Sequence, residues 1–335
     1  MIGYVIRRAG WMCLVLLTIT VITFVLSRVI PANPAVFVAG YGASQAQVDR
    51  ISHQLGLDQP LPVQYEHYMV GLASLDFGRS IRTGRPVTTD LKAYLPASLE
   101  LIGISFLLYL LIALPIGIMA ATRRGRLPDL AVRAISMVAS AAPIFWLAMI
   151  LQLVFFSYLG WLPLGGRIDI REAPPPTFTG FFTIDSILSG NIPLFLSTLK
   201  HLVLPVVTIV LSQLAVGARL IRSSMLQELS KPYVRTARSK GLRERTVINR
   251  HVVRNALNPV VTMAGVQLGY LFAWIILVET IFQWPGIGLY AFESFGALDY
   301  SPIMALTLVG SFAFVVINLV TDLIYPMLDP RISYQ

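Results

Sequence analysis

The sequence predicts an all-α integral membrane protein with six transmembrane helices. Three observations carry that expectation. Of the 335 residues, 56% are hydrophobic and only 13% are charged, about half the charge of an ordinary soluble domain. The mean hydropathy is +0.70. The apolar residues are also gathered into six runs, each close to or above the ~20 residues that cross a hydrocarbon core.

The six runs cover 9–30, 98–121, 131–159, 201–222, 259–281 and 302–326. The first follows Arg7-Arg8. It is long for the apolar core of a signal peptide and no small-residue cleavage site follows it, so it reads as a retained helix. Pro115, Pro143, Pro205 and Gly265 interrupt later runs. Membrane helices tolerate such breaks because neighbouring helices re-satisfy the freed backbone groups.

Net charge is +9. In a soluble protein that surplus would raise nucleic acid as a partner. Here the basic residues sit at the ends of the apolar runs, which is the positive-inside pattern, so the bilayer is the expected partner and nucleic acid is not. With the N-terminus inside, one side of the membrane holds Arg7, Arg8, Arg123, Arg124, Arg126, Arg133, the basic residues from Arg219 to Arg254, and Arg331. Those are most of the 26 Lys and Arg residues. Both termini are therefore expected in the cytoplasm.

The chain reads as a single transmembrane domain over 1–335. Residues 31–97 form a small extracytoplasmic insertion after the first helix, and 98–326 a five-helix core. Within the insertion a short helix is expected over 44–55, capped by Ser44 and stopped by Gly56. Arg79, Arg82 and Arg85 are candidates to face an acidic partner, and Tyr65, Tyr68 and Trp161 to sit at a membrane interface. A second outer loop, 160–199, contains Pro174-Pro175-Pro176, which favours extended chain.

No chemistry of its own is visible. The single cysteine, Cys13, excludes an internal disulfide. No Gly-x-x-x-x-Gly-Lys-Ser/Thr phosphate loop occurs. His53, His67, His201 and His251 are scattered, without metal-ligand spacing. No nucleophile or acid–base pair assembles. No catalytic, cofactor-binding or metal site is therefore expected, and the chain is not expected to be an enzyme.

The segment 226–258 is the exception to the apolar pattern. It lies between the fourth and fifth runs and reads as two short basic helices on the cytoplasmic side. Ser230 and Pro232 suit the opening of the first. Tyr233, Val234, Ala237 and Gly241 share a small-residue face, and Gly241 fits a left-handed stop. The second begins near Arg243, with Ile248, Val252 and Ala256 on one side and Arg250 and Arg254 on the other. Pro259 is expected to open the next spanning helix. Two capped amphipathic helices are more than a charge requirement needs, so a protein contact is expected here.

The strings Tyr233-Val-Arg-Thr-Ala-Arg-Ser-Lys-Gly-Leu242 and His251-x-x-Arg254-Asn255-Ala256-Leu257-x-Pro259 resemble the coupling loop of oligopeptide and dipeptide ABC-transporter permeases, of the B-type subunit. Leu55-Gly-Leu-Asp-Gln-Pro-Leu61, Asp76-Phe-Gly-Arg-Ser80, Glu279-Thr-Ile-Phe-Gln-Trp-Pro-Gly-Ile-Gly288 and Asp329-Pro-Arg331 carry the likeness along nearly the whole chain. Thr236-Ala237-Arg238 stands where the general permease loop has Glu-Ala-Ala, and the gap from Gly241 to Pro259 is longer. Both features favour the peptide branch.

The resemblance implies the membrane-spanning permease subunit of a type I ABC importer in a bacterial inner membrane, taking up di- or oligopeptides. It implies a second permease, two cytoplasmic ATPases that bind ATP and Mg, and an extracytoplasmic substrate-binding protein. Tyr233, Arg235, Thr236, Ala237, Arg238, Lys240, Gly241 and Leu242 would form the ATPase-coupling loop. Relatives of this branch also handle nickel chelates, glutathione and oligosaccharides. Gln152, Gln213, Gln267, Glu279, Trp284 and Asn318 are candidates for the path or its gate, with helix-to-helix hydrogen bonding as the alternative for the polar ones. Asp322 is expected to be a structural intramembrane charge, paired with Arg219 or Arg222. A stand-alone secondary transporter would instead need intramembrane ion-coupling carboxylates and inverted repeats; Asp322 is a lone candidate and no repeat is evident.

Overall fold

The computed structural model describes residues 2–29, 34–39, 42–54 and 56–328. Among these, every regular element is helical, and the only β pairing is an isolated bridge between Arg79 and Pro86. The Asp329-Pro330-Arg331 string and Leu55 lie outside the described residues.

The first helix, α1 (Ile2–Val29), is followed by α2 (Pro34–Ala39), α3 (Gln45–Gln54) and α4 (Leu61–Ala73). The helix expected over 44–55 is α3. The Gln47 side chain reaches back to accept from the Ser44 N–H at 2.9 Å, one half of the capping box that fixes a helix start. Gly56 stops it at φ +63.

Next, α5 (Val87–Thr122) begins well before the apolar run at 98. Asp90 lies in its first turn and accepts from the Thr83 hydroxyl at 2.6 Å, which suits the positive end of the helix dipole. At about 1.5 Å per residue it is longer than a hydrocarbon core is thick, so its first turns stand outside that core.

The run expected at 131–159 is not one straight helix. It divides into α6 (Leu127–Ala141), α7 (Ile144–Gln152) and a π-wound stretch, Leu153–Tyr158. Ala142 is extended, at φ −85 and ψ 121, as the residue before a proline prefers. Pro143 therefore breaks the span where a straight reading continued it.

A short α8 (Phe182–Leu188) precedes α9 (Ile192–Leu229). Asn191 caps α9 by accepting from the Leu194 N–H at 3.1 Å, and Pro193 occupies its first turn. Then come α10 (Pro232–Ser239), α11 (Glu244–Thr246), a π-wound Val247–Val253 and α12 (Arg254–Ile281). Pro259 lies inside α12 rather than opening it. The helical winding starts in the basic loop at Glu244 and is carried by π turns into α12, so no new start is needed at the proline. The chain ends with α13 (Ile287–Gly296) and α14 (Tyr300–Leu328).

Among the described residues, five helical stretches are long and apolar enough to cross a membrane: Ile6–Ser27, Val87–Thr122, Ile192–Leu229, Glu244–Ile281 and Tyr300–Ile324. The sixth expected span corresponds to the shorter apolar helix Ile144–Tyr158 together with α6.

The chain divides into two compact units. One contains Ile2–Ser98 and Pro285–Phe312. In it Phe24 of α1 packs edge-on against Tyr65, whose hydroxyl pairs with Thr20 at 2.8 Å. Buried Asp90 accepts from Tyr290 at 2.9 Å, and buried Asp299 accepts from Ser80 at 2.6 Å. Burial pushes the Tyr290 hydroxyl up, and the Asp90 carboxylate it donates to pushes the same way, so it stays a donor. Arg82, expected to face outward, pairs with Glu293 at 2.9 Å and lies over the Tyr290 ring.

The other unit contains Leu99–Trp284 and the chain from Ala313 onward. Here α9 is the central helix, burying Ile209, Ile221 and Met225. It passes α5 through two close approaches, where a Cβ on Gly217 would run into Tyr109 and one on Gly117 would lie 2.6 Å from Ile221. Small residues at crossings are how helices approach without a solvent-driven core.

Toward its C-terminal end, α9 is tied to α6. The Arg222 guanidinium makes a two-point contact with Asp129, and Asp129 also accepts from the Gly125 N–H at 2.8 Å. Arg222 was one of two partners expected for Asp322; the structure gives it to Asp129. The Arg222 hydrogen bond holds the Asp129 carboxyl down to about 2, against an ordinary value of about 3.9. A depressed carboxylate stabilises the fold fully above its unfolded value, and the contribution fades as pH falls through the folded one. We expect Asp129→Asn to cost about 1–3 kcal/mol at neutral pH and the difference from the wild type to vanish by about pH 2, read by denaturant titration in detergent.

Candidate functional site

Two groups of residues stand out, both within the unit that contains α9. The first is a buried charge cluster built from Glu100 within α5, the loop residue Arg167 and the end of α12. The Arg167 side chain is 5% exposed and that of Glu100 1%, with Nη2 of Arg167 donating to Glu100 at 2.5 Å. Arg167 also donates to the Gly180 carbonyl at 3.0 Å and lies 3.6 Å over the Phe182 ring. The other oxygen of Glu100 accepts from the Thr183 N–H and hydroxyl at 2.8 and 2.6 Å. Burial pulls the Arg167 guanidinium down, while Glu100, Asp185 and Glu279 oppose it. Asp185 holds the turn before α8 by accepting from the backbone of Phe178, Thr179 and Gly180. Burial pushes the Asp185 carboxyl up, but the Thr179 hydroxyl and those N–H groups outweigh it and the net displacement is down.

The same cluster gathers three of the expected gate residues. Glu279 and Trp284 are fully buried, so Glu279 is not a solvated helix end. The Arg167 guanidinium is 5.6 Å from the Trp284 ring centroid. Gln152 donates to the carbonyls of Leu164 and Ile281, at 2.9 and 3.1 Å. Gly166 donates to the Phe282 carbonyl at 2.9 Å, and a Cβ on Gly165 would collide with that same peptide. The end of α12 closes with Trp284 N–H on Glu279 O and Gln283 N–H on Thr280 O, the paired bonds of a Schellman ending. Its left-handed residue is Gln283, at φ +47. The loop after α7 and the end of α12 are thus one piece.

Other expected path residues are dispersed. Gln267 is buried and accepts from Tyr109 at 2.5 Å, a helix-to-helix bond. Asn318 donates to the Phe314 carbonyl one turn back at 3.0 Å. Gln213 is half-buried on α9.

The second group is the basic loop. Lys231, not Ser230, is the residue that opens α10; Ser230 closes α9 and donates to Gln227 O. Val234 and Ala237 are buried, so the small side of α10 packs within the chain. Arg235, Thr236, Arg238, Ser239, Lys240, Gly241 and Leu242 face outward. Tyr233 lies between the two sides and joins three elements. Its hydroxyl donates to Glu228 of α9 at 2.7 Å and accepts from Asn255 of α12 at 3.1 Å. Burial pushes that hydroxyl up, which keeps it a donor. Lys231 pairs with the other Glu228 oxygen at 2.5 Å.

Gly241 ends α10 at φ +75, with its N–H on Arg238 O and the Leu242 N–H on Ala237 O. The left-handed conformation, not crowding, demands glycine there, since nothing lies within 4 Å of a Cβ. Arg238 then reaches across the turn to Glu244 at 2.6 and 3.1 Å. We expect Gly241→Ala to cost about 1 kcal/mol, seen as faster proteolysis at the 240–245 turn with the spanning helices intact.

Arg167, Glu100, Glu228 and Asn255 escaped the sequence reading of the site. Glu100 gave a signal: a carboxylate near the start of an apolar run needs a partner. The Gly165-Gly166 pair before Arg167 gave another.

Comparison with known families agrees along the length of the chain. Residues 113–334 match the family described as binding-protein-dependent transport system inner membrane component, and residues 1–102 match the N-terminal model of the same systems. The probable D,D-dipeptide transport system permease of Escherichia coli K12 is 44% identical over 98% of this chain and 97% of its own. The dipeptide transport system permease of Alkalihalophilus pseudofirmus is 40% identical over the whole of both chains. The glutathione transport system permease of Salmonella choleraesuis is 35% identical, again over both entire chains. With matches at both ends, full-length relatives and a helical structure whose basic segment 226–258 first suggested it, the chain belongs to the binding-protein-dependent transport system inner membrane component family.

Proposed function

We infer that this chain is one of two permease subunits of an ATP-driven importer for di- and oligopeptides. The observation that carries the reading is the outward face of α10, where Arg235, Thr236, Arg238, Ser239 and Lys240 point away from the protein while Val234 and Ala237 anchor the helix. A membrane subunit with no phosphate loop needs an external source of work. This face offers an ATPase a docking point that Tyr233 links to both α9 and α12.

In this reading both termini and the loop 226–258 lie in the cytoplasm, and 31–97 and 160–199 face the binding protein. Two ATPases hold ATP and Mg, and a second permease completes the path. ATP binding shifts the pair of permeases between inward- and outward-open states only as far as it favours one of them. Catalysis belongs to the partners. The Arg167 cluster joins Glu100 of α5 and the end of α12 to the loop after α7, as an outer gate requires. Di- and tripeptides fit the relatives' names, and glutathione, also a tripeptide, falls in the same class.

The test is uptake of a labelled dipeptide into proteoliposomes. We expect uptake only with both permeases, the ATPases, ATP and a loaded binding protein. Uptake by this chain without any ATPase would overturn the reading.

A further inference from the structure

A groove of about 670 Å³ lies between α5, α6, α7 and α9, bordered by Ile116, Met119, Ala131, Ile135, Trp146 and Leu211 among others. That volume is in the range of ligand sites. Among the described residues, its only polar side chains are Ser136, Ser212 and the Trp146 indole. A peptide lying there would leave its backbone groups without partners, so the groove suits hydrocarbon and not the transported solute.

One end of the groove is strongly basic. The turn between α5 and α6 carries Arg123, Arg124 and Arg126, and Arg133 follows on α6; all four are exposed. In sequence they are close neighbours of the lining residues. Arg123 is one turn beyond Met119 on the same face of α5, Arg126 precedes Pro128, and Arg133 lies between Val132 and Ala134. The carboxylate here, Asp129, is already engaged by Arg222 and feels the charge of Arg133. The turn joins two membrane helices, so it sits at a membrane–water boundary whichever side that is.

We propose that this groove holds an acyl chain of an anionic phospholipid, whose phosphate is met by Arg126 and Arg133. An apolar slot ending in surplus positive charge matches the two halves of such a lipid. A second permease obeying the same positive-inside rule would bring its own arginines to this level, and like charges would meet. The proposal rests on the membrane reading of the chain and is independent of what is transported.

The test counts lipid, not uptake. The full-length chain in mild detergent is offered phosphatidylglycerol and phosphatidylcholine with identical acyl chains, and retained lipid is counted by native mass spectrometry. The wild type should retain phosphatidylglycerol over phosphatidylcholine by on the order of tenfold. Arg126→Gln with Arg133→Gln should abolish the preference but keep unselective binding, and Ala139→Trp, which fills the groove, should reduce both. Should the tryptophan variant not fold, the arginine pair decides alone. Equal retention by the wild type, or a preference that survives both Gln substitutions, overturns the proposal. So does efficient cross-linking of Ile135→Cys to the second permease in the assembled transporter, which would make the groove a subunit seam.

Discussion

Arg167→Ala should destabilise the folded chain by about 3–5 kcal/mol, the cost of leaving a buried charge without its partner. The Glu100 carboxylate, its side chain 1% exposed, would keep only Thr183 as a donor. Asp185 and Glu279, both buried, would lose the positive charge that acts on them. The stack on Phe182 and the bond to Gly180 O would go as well, freeing the loop before α8. Removing both charges, as Glu100→Gln with Arg167→Met, should recover much of the loss, because a well-packed neutral pair replaces a buried ionic one at little cost. Unfolding titrations with SDS in mixed micelles measure both variants. If the cluster is also an outer gate, Arg167→Ala should raise basal ATP hydrolysis in the assembled transporter even where the protein remains folded.

The second large effect concerns the exposed face of α10, the proposed coupling face. Arg235→Glu with Lys240→Glu should reduce ATP-driven uptake by roughly tenfold or more, since like charges placed against a complementary surface cost several kcal/mol. Both side chains are exposed, so the spanning helices should be undisturbed. Arg238 is a less clean probe. Its pair with Glu244 holds the turn at Gly241, and reversing it would disturb the loop as well as the docking face. Uptake and ATP hydrolysis measured on the same proteoliposomes separate lost coupling from lost protein.

What the sequence disclosed was local. Ser44 and Gly56 bracket α3, and Gly241 ends α10, because caps and left-handed stops are decided by a few adjacent residues. The spanning helices were legible as apolar runs, except where Pro143 broke one and where α5 and α9 ran past their apolar stretches into polar chain. The partners of buried groups were not legible. Arg167 and Glu100 are 67 residues apart, and Arg222 and Asp129 are 93 apart. Nothing in spacing announces such pairs, and for that reason the sequence offered both Arg219 and Arg222 as partners for Asp322, of which Arg222 goes to Asp129. Helical period found the small side of α10, but only packing showed that the chain itself buries Val234 and Ala237 there.

Cysteine cross-linking tests the central claim most directly. Cys13 is the only native cysteine, so Cys13→Ser gives a clean background. On it, Thr236→Cys on the exposed face of α10 should cross-link to the ATPase subunit in the assembled transporter, more strongly in one nucleotide state than the other. Ser44→Cys, in the insertion after α1 that the proposed topology places outside, should give no such product. If Thr236→Cys fails to cross-link in an assembly that transports, the outward face of α10 is not where the ATPase docks.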